Sequence, residues 1–258
     1  MALPHPRQLQ SKILSTLTYF DKYNYPLTKA ELEYWSSIVV HPSRKYYFLP
    51  GRANLVKLRQ QRAKFSQQKW QIAREVGEKL KRFSTIAAVF VTGSLAMNNC
   101  PKDDDIDLMI VTYPNTLWIT RFFVNLYLYQ IRRYPNQTQA PDKICPNLWL
   151  DLNHLAIPHN HSLYTAHEIL QAKVLWDRAG VHNQFLKQNS WVKKHLPVAY
   201  KYLTPDPSPN LREGGSNRVG YWLWPLNLFF FVIQYLYMKS KMTTEKVGLG
   251  YAFFHPRG

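Results

Sequence analysis

Ala87 to Val91 is an unbroken apolar run that leads directly into Thr92-Gly93-Ser94. A run of that length, closed by a glycine, reads as a buried strand entering a tight turn. Asp105 to Thr112, DIDLMIVT, predicts a second strand. These two segments fix where a sheet must form, and the rest of the chain has to cover it.

The covering elements are legible on both sides. Residues 8–20 have apolar positions at helical spacing. Thr28 reads as an N-cap with Glu31 three residues on, a capping box that opens a second helix. KYYFLPGR, residues 45–52, reads as a short strand and turn, so residues 1–52 are expected to form a winged-helix-like module. Residues 53–84 read as a long connecting helix whose many Lys and Arg lie on a solvated face. Residues 115–133 predict an amphipathic helix. Residues 147–157 predict a third strand, with Leu148, Leu150 and Leu152 on one face and Trp149, Asp151 and Asn153 on the other. From Ser162 onward the pattern reads as helical, through 163–178 and again through 183–196. Residues 204–216, TPDPSPNLREGGS, break it and read as a loop insertion without a functional role. The expected fold is α+β: a mixed sheet flanked by helices in residues 85–160, preceded by the N-terminal module and followed by a helical region, 161–258.

Composition narrows the class. The chain is 46% hydrophobic and 15% aromatic, enough for a packed core and too apolar for global disorder. Cys100 and Cys145 each stand alone, which argues against a zinc site or a disulfide framework. Two lone thiols fit a reducing cytosol, and Cys100 reads as a small half-buried filler. The start, MALPHPRQLQSKIL, lacks the pattern of a signal peptide, so a cytoplasmic location is expected. Tyr221–Met238 has the length of a short membrane span but contains Pro225, Asn227 and Gln234. It reads as a buried helix covering the core, with Asn227 and Gln234 on one face that meets solvent or a polar partner, and Phe229, Phe230, Phe231, Ile233, Leu236 and Tyr237 filling the groove against the helix at 115–133; a membrane anchor is the alternative. No membrane is expected among the partners. The formal charge is +17, and residues 1–82 hold 16 Lys and Arg against five acids. Such a field attracts polyanions or phosphorylated substrates.

The chemistry sits between the first two strands. Gly93 permits a sharp turn and close approach to a phosphate. The N–H groups opening the next helix favour an anion, and the Ser94 hydroxyl adds a hydrogen bond. After ten intervening residues, Asp105 and Asp107 stand two apart on a strand and project from one face. Paired carboxylates beside a triphosphate site suit Mg²⁺ or Mn²⁺.

Thr92-Gly93-Ser94 followed by Asp105-Ile106-Asp107-Leu108 resembles the motif of the nucleotidyltransferase superfamily related to DNA polymerase β. The match covers about residues 85–157. A wider likeness, through YFDKYNYPLTKAEL, VTGSLAM, DDDIDLMIV, KICPNLWL and LYTAHEILQAKVLWDR, is to a bacterial group of predicted nucleotidyltransferases. The resemblance implies a nucleotidyltransferase-type sheet and a reaction class, but no particular substrate. It implies metal held by Asp105 and Asp107, nucleotide held by Gly93 and Ser94, and a third carboxylate from a later strand. Asp151 is the candidate for that third position, as ligand or general base; a solvated strand residue is the other reading. Asp103 reads as a helper or as merely solvated. Arg121 reads as a phosphate ligand or an ion-pairing residue, and Glu168 and Trp176 as core or capping residues.

The expected activity is metal-dependent transfer of a nucleoside monophosphate from a nucleoside triphosphate, ATP in the first instance, to a hydroxyl, releasing pyrophosphate. The acceptor could be a small molecule, a protein or RNA. The rival reading is a nucleic-acid-binding or antitoxin-like regulator with a nucleotide-binding but catalytically weak domain, its basic N-terminal part contacting nucleic acid.

Overall fold

The computed structural model describes residues 6–41, 44–133, 140–158, 160–204 and 219–254. Residues 204–216, expected to form an insertion, lie almost wholly outside that set. A six-stranded mixed sheet forms the centre. Its strands are β1 (Ile86–Val91), β2 (Ile106–Thr112), β3 (Ile144–Asp151), β4 (Lys173–Asp177), β5 (Lys246–Val247) and β6 (Tyr251–Phe253), in the order β4-β1-β2-β3-β6-β5. β2 and β3 are parallel; the other neighbours are antiparallel.

All six residues of β1 are buried, as its continuous apolar run requires. Helices cover both faces. On one face Ala88, Phe90, Met109, Val111 and Leu150 pack under α1 (Pro6–Asp21), α2 (Lys29–Ser36), α6 (Leu163–Gln171), α7 (Val181–Gln188) and α8 (Pro197–Leu203). On the other, Val89, Val91, Leu108, Ile110 and Trp149 pack under α3 (Leu55–Leu80), α5 (Leu117–Tyr127) and α9 (Val219–Lys239). α4 (Gly93–Ala96) is a single turn after β1.

The N-terminal helices share a core with the sheet: Phe20, Leu27, Leu32 and Trp35 pack with Ala166, Ile169 and Phe185. The capping box of α2 is present, with Thr28 and Glu31 bonded reciprocally. The strand expected at 45–52 reduces to one bridge, Leu27 to Tyr47, followed by a turn. The third strand starts at Ile144, three residues earlier than expected, and ends at Asp151.

Three expectations change. Lys173–Asp177, read as helix, is edge strand β4, paired to β1; five residues that continue a helical pattern carry no sign of their own that the helix stops at Gln171. The basic face of α3 is not simply solvated. Lys69 is 1% exposed, and its ammonium donates to Lys102 O (3.1 Å), Asp104 O (2.7 Å) and Asp142 Oδ1 (2.8 Å). Arg59 bonds both carboxylate oxygens of Glu31 at 2.8 Å.

The third change is on α9, whose amide face meets a polar partner while most of the apolar residues expected to face the core do not. Asn227 is 3% exposed, and its Oδ1 accepts from Trp118 N at 2.7 Å and Ile119 N at 3.3 Å, satisfying N–H groups that open α5. Gln234 Nε2 donates to Trp118 O at 2.9 Å, and its Oε1 accepts from Arg121. Of the six apolar residues expected to face the core, only Phe230 and Phe231 do; Phe229, Ile233, Leu236 and Tyr237 are exposed. No described helix is long and apolar enough to cross a membrane.

Candidate active site

β1 and β2 run antiparallel with Val91 opposite Leu108, so the turn leaving β1 lies beside the residues entering β2. Thr92 N donates to Asp107 O at 3.0 Å and closes that corner. Gly93 adopts φ 62°, and a Cβ there would sit 2.5 Å from Asp107 Oδ2. Conformation and space both demand glycine. Because α4 is one turn long, its dipole adds little; phosphate contacts here would come from backbone N–H groups and the Ser94 hydroxyl, which donates to Asp104 Oδ2 at 2.7 Å.

Asp105 and Asp107 come together with Cys145, one ligand atom of each lying within 4.8 Å of the others. β3 sets Cys145 opposite Asp107. The register then slips: Pro146 faces Leu108 and Leu148 faces Met109, which leaves Asn147 as the extra residue of a bulge. Its Nδ2 donates to Asp107 Oδ1 at 2.6 Å. Asp105 is buried and accepts from Arg133 Nη1 at 2.9 Å; that bond raises the guanidinium pKa further. Burial pushes the Cys145 thiol far up, and the charges of Asp107 and Asp105 add to the rise. Burial likewise pushes the Cys100 thiol up to about 12. Neither is a thiolate at neutral pH. A hard divalent cation takes oxygen ligands, so the carboxylates of Asp105 and Asp107 fit one and the Cys145 thiol does not.

Asp151 is not brought to this pair. It ends β3 opposite Thr112, five register steps beyond Asp107, roughly 16 Å along the strands. It is buried, accepts from Asn153 N at 2.9 Å and lies 2.7 Å from His154 Nδ1. Burial pushes its carboxyl pKa up, while the His154 and Asn153 contacts pull against that rise. Its place is structural: it holds the turn that follows β3. The residues that β3 brings beside the pair are Cys145 and Asn147. Arg121 also lies elsewhere, against Gln234, with Phe254 4.4 Å and Trp118 5.5 Å from its guanidinium carbon. Asp103 is exposed.

A cavity of about 700 Å³ opens beside Gly93, Ser94 and Asp107 and extends between the sheet, α1 and α6. Tyr19, Tyr23, Tyr164 and Glu168 also line it. The acids among its lining residues are Asp107 and Glu168. Sequence reading missed three contributors: Asn147, hidden by the bulge; Lys69, whose ammonium holds the 102–104 backbone in front of the pair; and Glu168, on a helix face that turns to the cavity. Comparison with family models, with curated proteins and with solved structures finds no match.

Proposed function

We propose that the chain is a metal-dependent nucleotidyltransferase, moving a nucleoside monophosphate from a triphosphate, ATP in the first instance, to a hydroxyl acceptor. The observation that carries this reading is the contact of Gly93 with Asp107, which joins a phosphate-sized backbone turn to a carboxylate pair. Asp105 and Asp107 would hold Mg²⁺ or Mn²⁺, which when bound neutralises triphosphate charge and the departing pyrophosphate. Asn147 fixes the rotamer of Asp107, and Arg133 holds Asp105 through a charged hydrogen bond. The acceptor enters through the tyrosine-lined cavity. Its oxygen attacks the α-phosphorus, the bond to the β-phosphate oxygen breaks, and the hydroxyl proton passes to Asp107 or Glu168, the two carboxylates facing that space.

One observation favours the second reading, a domain that binds nucleotide yet turns it over weakly: the residues that β3 brings beside the pair are Cys145 and Asn147, not a third acid. In that reading the basic N-terminal helices, with their single bridge in place of a wing, form a winged-helix-like contact for nucleic acid or a partner.

The test is pyrophosphate release from each of the four nucleoside triphosphates with Mg²⁺ or Mn²⁺ and a cell extract as acceptor source, alongside calorimetric titration of nucleotide. Release that disappears in Asp107→Asn supports transfer. Binding without release supports the second reading. Absence of both overturns the site.

A further inference from the structure

We infer that the exposed face shared by α5 and α9 docks on the surface of an anionic lipid bilayer, with α9 lying along the interface. The inference is independent of the reaction proposed above.

The orientation of α9 comes first. Its two amides are consumed internally, Asn227 on the first turn of α5 and Gln234 on Trp118 O and Arg121. What remains outward is a stripe at helical spacing: Trp222, Leu226, Phe229, Ile233, Leu236 and Tyr237, with Trp222 85% and Leu236 64% exposed. A helix that turns its amides inward and its apolar stripe outward is built for a surroundings other than water.

The stripe continues across α5. Phe230 lies 4.7 Å from Phe122, 6.0 Å from Phe123 and 5.7 Å from Phe229, ring to ring, and Leu126 and Tyr127 extend the surface. At 1.5 Å rise per residue α9 alone is about 30 Å long. Monomeric proteins rarely leave so large a contiguous apolar face in water.

Charge selects the occupant. No Asp or Glu occurs from Val219 to Thr244 or from Leu108 to Pro141, the segments that form this face. The charges at its end are cationic: Lys239, and Lys241, whose ammonium sits 3.9 Å over the Tyr237 ring. Phe83 packs on Tyr127 at 5.7 Å and places exposed Arg82 at the α5 edge, next to Lys81, which is paired with Glu78. A second copy would bring a +17 chain against another +17 chain. An anionic bilayer offers opposite charge to the rim and hydrocarbon to the stripe. Trp222 towards one end and Tyr237 at the other suit the headgroup boundary, where amphipathic rings collect. No described helix can cross, so the bilayer surface, not its interior, is the binding site.

The full chain is floated on density gradients with phosphatidylcholine vesicles and with phosphatidylcholine vesicles containing phosphatidylglycerol. Binding should be about tenfold stronger to the anionic vesicles and weaken with salt. Phe229→Glu with Leu236→Glu, both at exposed positions, should abolish flotation while circular dichroism stays unchanged. Lys239→Glu with Lys241→Glu should reduce binding to the level of neutral vesicles. A chain that fails to float with either vesicle overturns the inference. So does a vesicle-free dimer on a sizing column that Phe229→Glu with Leu236→Glu dissociates, which would make a second copy the occupant.

Discussion

Gly93 and Asp107 are packed so that a methyl group on the first would stand 2.5 Å from the carboxylate oxygen of the second. The glycine turn and the acid are therefore one object: neither can move without the other. Gly93→Ala would have to relieve the contact and hold a left-handed backbone, a conformation that costs about 1–3 kcal/mol outside glycine. The expected outcome is a loss of that size in urea unfolding, with nucleotide affinity lost as Asp107 is pushed aside. An alanine variant that binds nucleotide normally would show that the turn is not part of the site.

Asp107 and Asp151 should separate cleanly. Asp107→Asn keeps shape and a bond to Asn147 but removes charge at the metal position. Pyrophosphate release should fall roughly 10²–10³-fold, the scale of losing one preorganised electrostatic contact, with little change in stability. Asp151→Asn should leave release unchanged and cost about 1–3 kcal/mol, because it weakens charge-assisted bonds to Asn153 N and His154 inside the protein. The reverse pattern in parallel kinetic and unfolding measurements would return Asp151 to the active site. Asp105→Asn is the less clean probe: Asp105 is buried and bonded to Arg133, so its removal should disturb folding as well as activity.

The two central strands and the turn between them were legible because a run buried on both faces has no alternative reading at that length. Asp151 was misplaced for a definite reason. The side-chain alternation of residues 148–153 says which way a residue points, not how far along the sheet it lies. Locating the start of β3 at Ile144 needed the pairing with Ile106. The bulge at Asn147 is likewise a property of two strands, not of one. On α9, an amide stripe reads as solvent-facing unless the partner supplies N–H groups to cap, and those belong to α5, about a hundred residues earlier. Lys69 looked like one more cation on a basic helix because its three acceptors lie on loops distant in sequence.

That ammonium gives a third prediction. Lys69→Met keeps the buried stem and removes the head from two carbonyls and the Asp142 carboxylate. Asp142 is half exposed and can turn to water, so the loss should be about 1.5–3 kcal/mol, the range for hydrogen bonds to a charged group. Release of pyrophosphate should fall with it, since the 102–104 backbone leads straight into Asp105. Wild-type kinetics in a folded Lys69→Met chain would show that this loop holds its place unaided.

The last prediction concerns pH and His167. The ring is 2% exposed, stacked on Tyr19 at 4.0 Å and flanked by Phe20 and Trp35. Its Nδ1 has no hydrogen-bond partner among the described residues. Burial pushes its pKa down from 6.5 to about 3. Between those values the unfolded chain carries a proton on this residue that the folded chain refuses. Stability therefore rises with pH across the window: this contribution is complete above about 6.5 and is lost as pH falls towards 3, at about 1.4 kcal/mol per pH unit. Urea unfolding at pH 7 and pH 5 should show that slope in the wild type. His167→Phe fills the same aromatic cluster without a titrating group and should lower the slope between pH 5 and pH 6.5 by about 1.4 kcal/mol per pH unit, while His182, whose pKa burial also pushes down, keeps its own part of the slope in both chains. Below pH 5 the carboxylates, Glu31 with its Arg59 bonds among them, add the same acid sensitivity to both chains, and the two slopes should converge only as pH approaches 3. An unchanged slope between pH 7 and pH 5 in His167→Phe would mean that His167 is protonated in the folded protein, and the cluster around Tyr19 would then have to open to water.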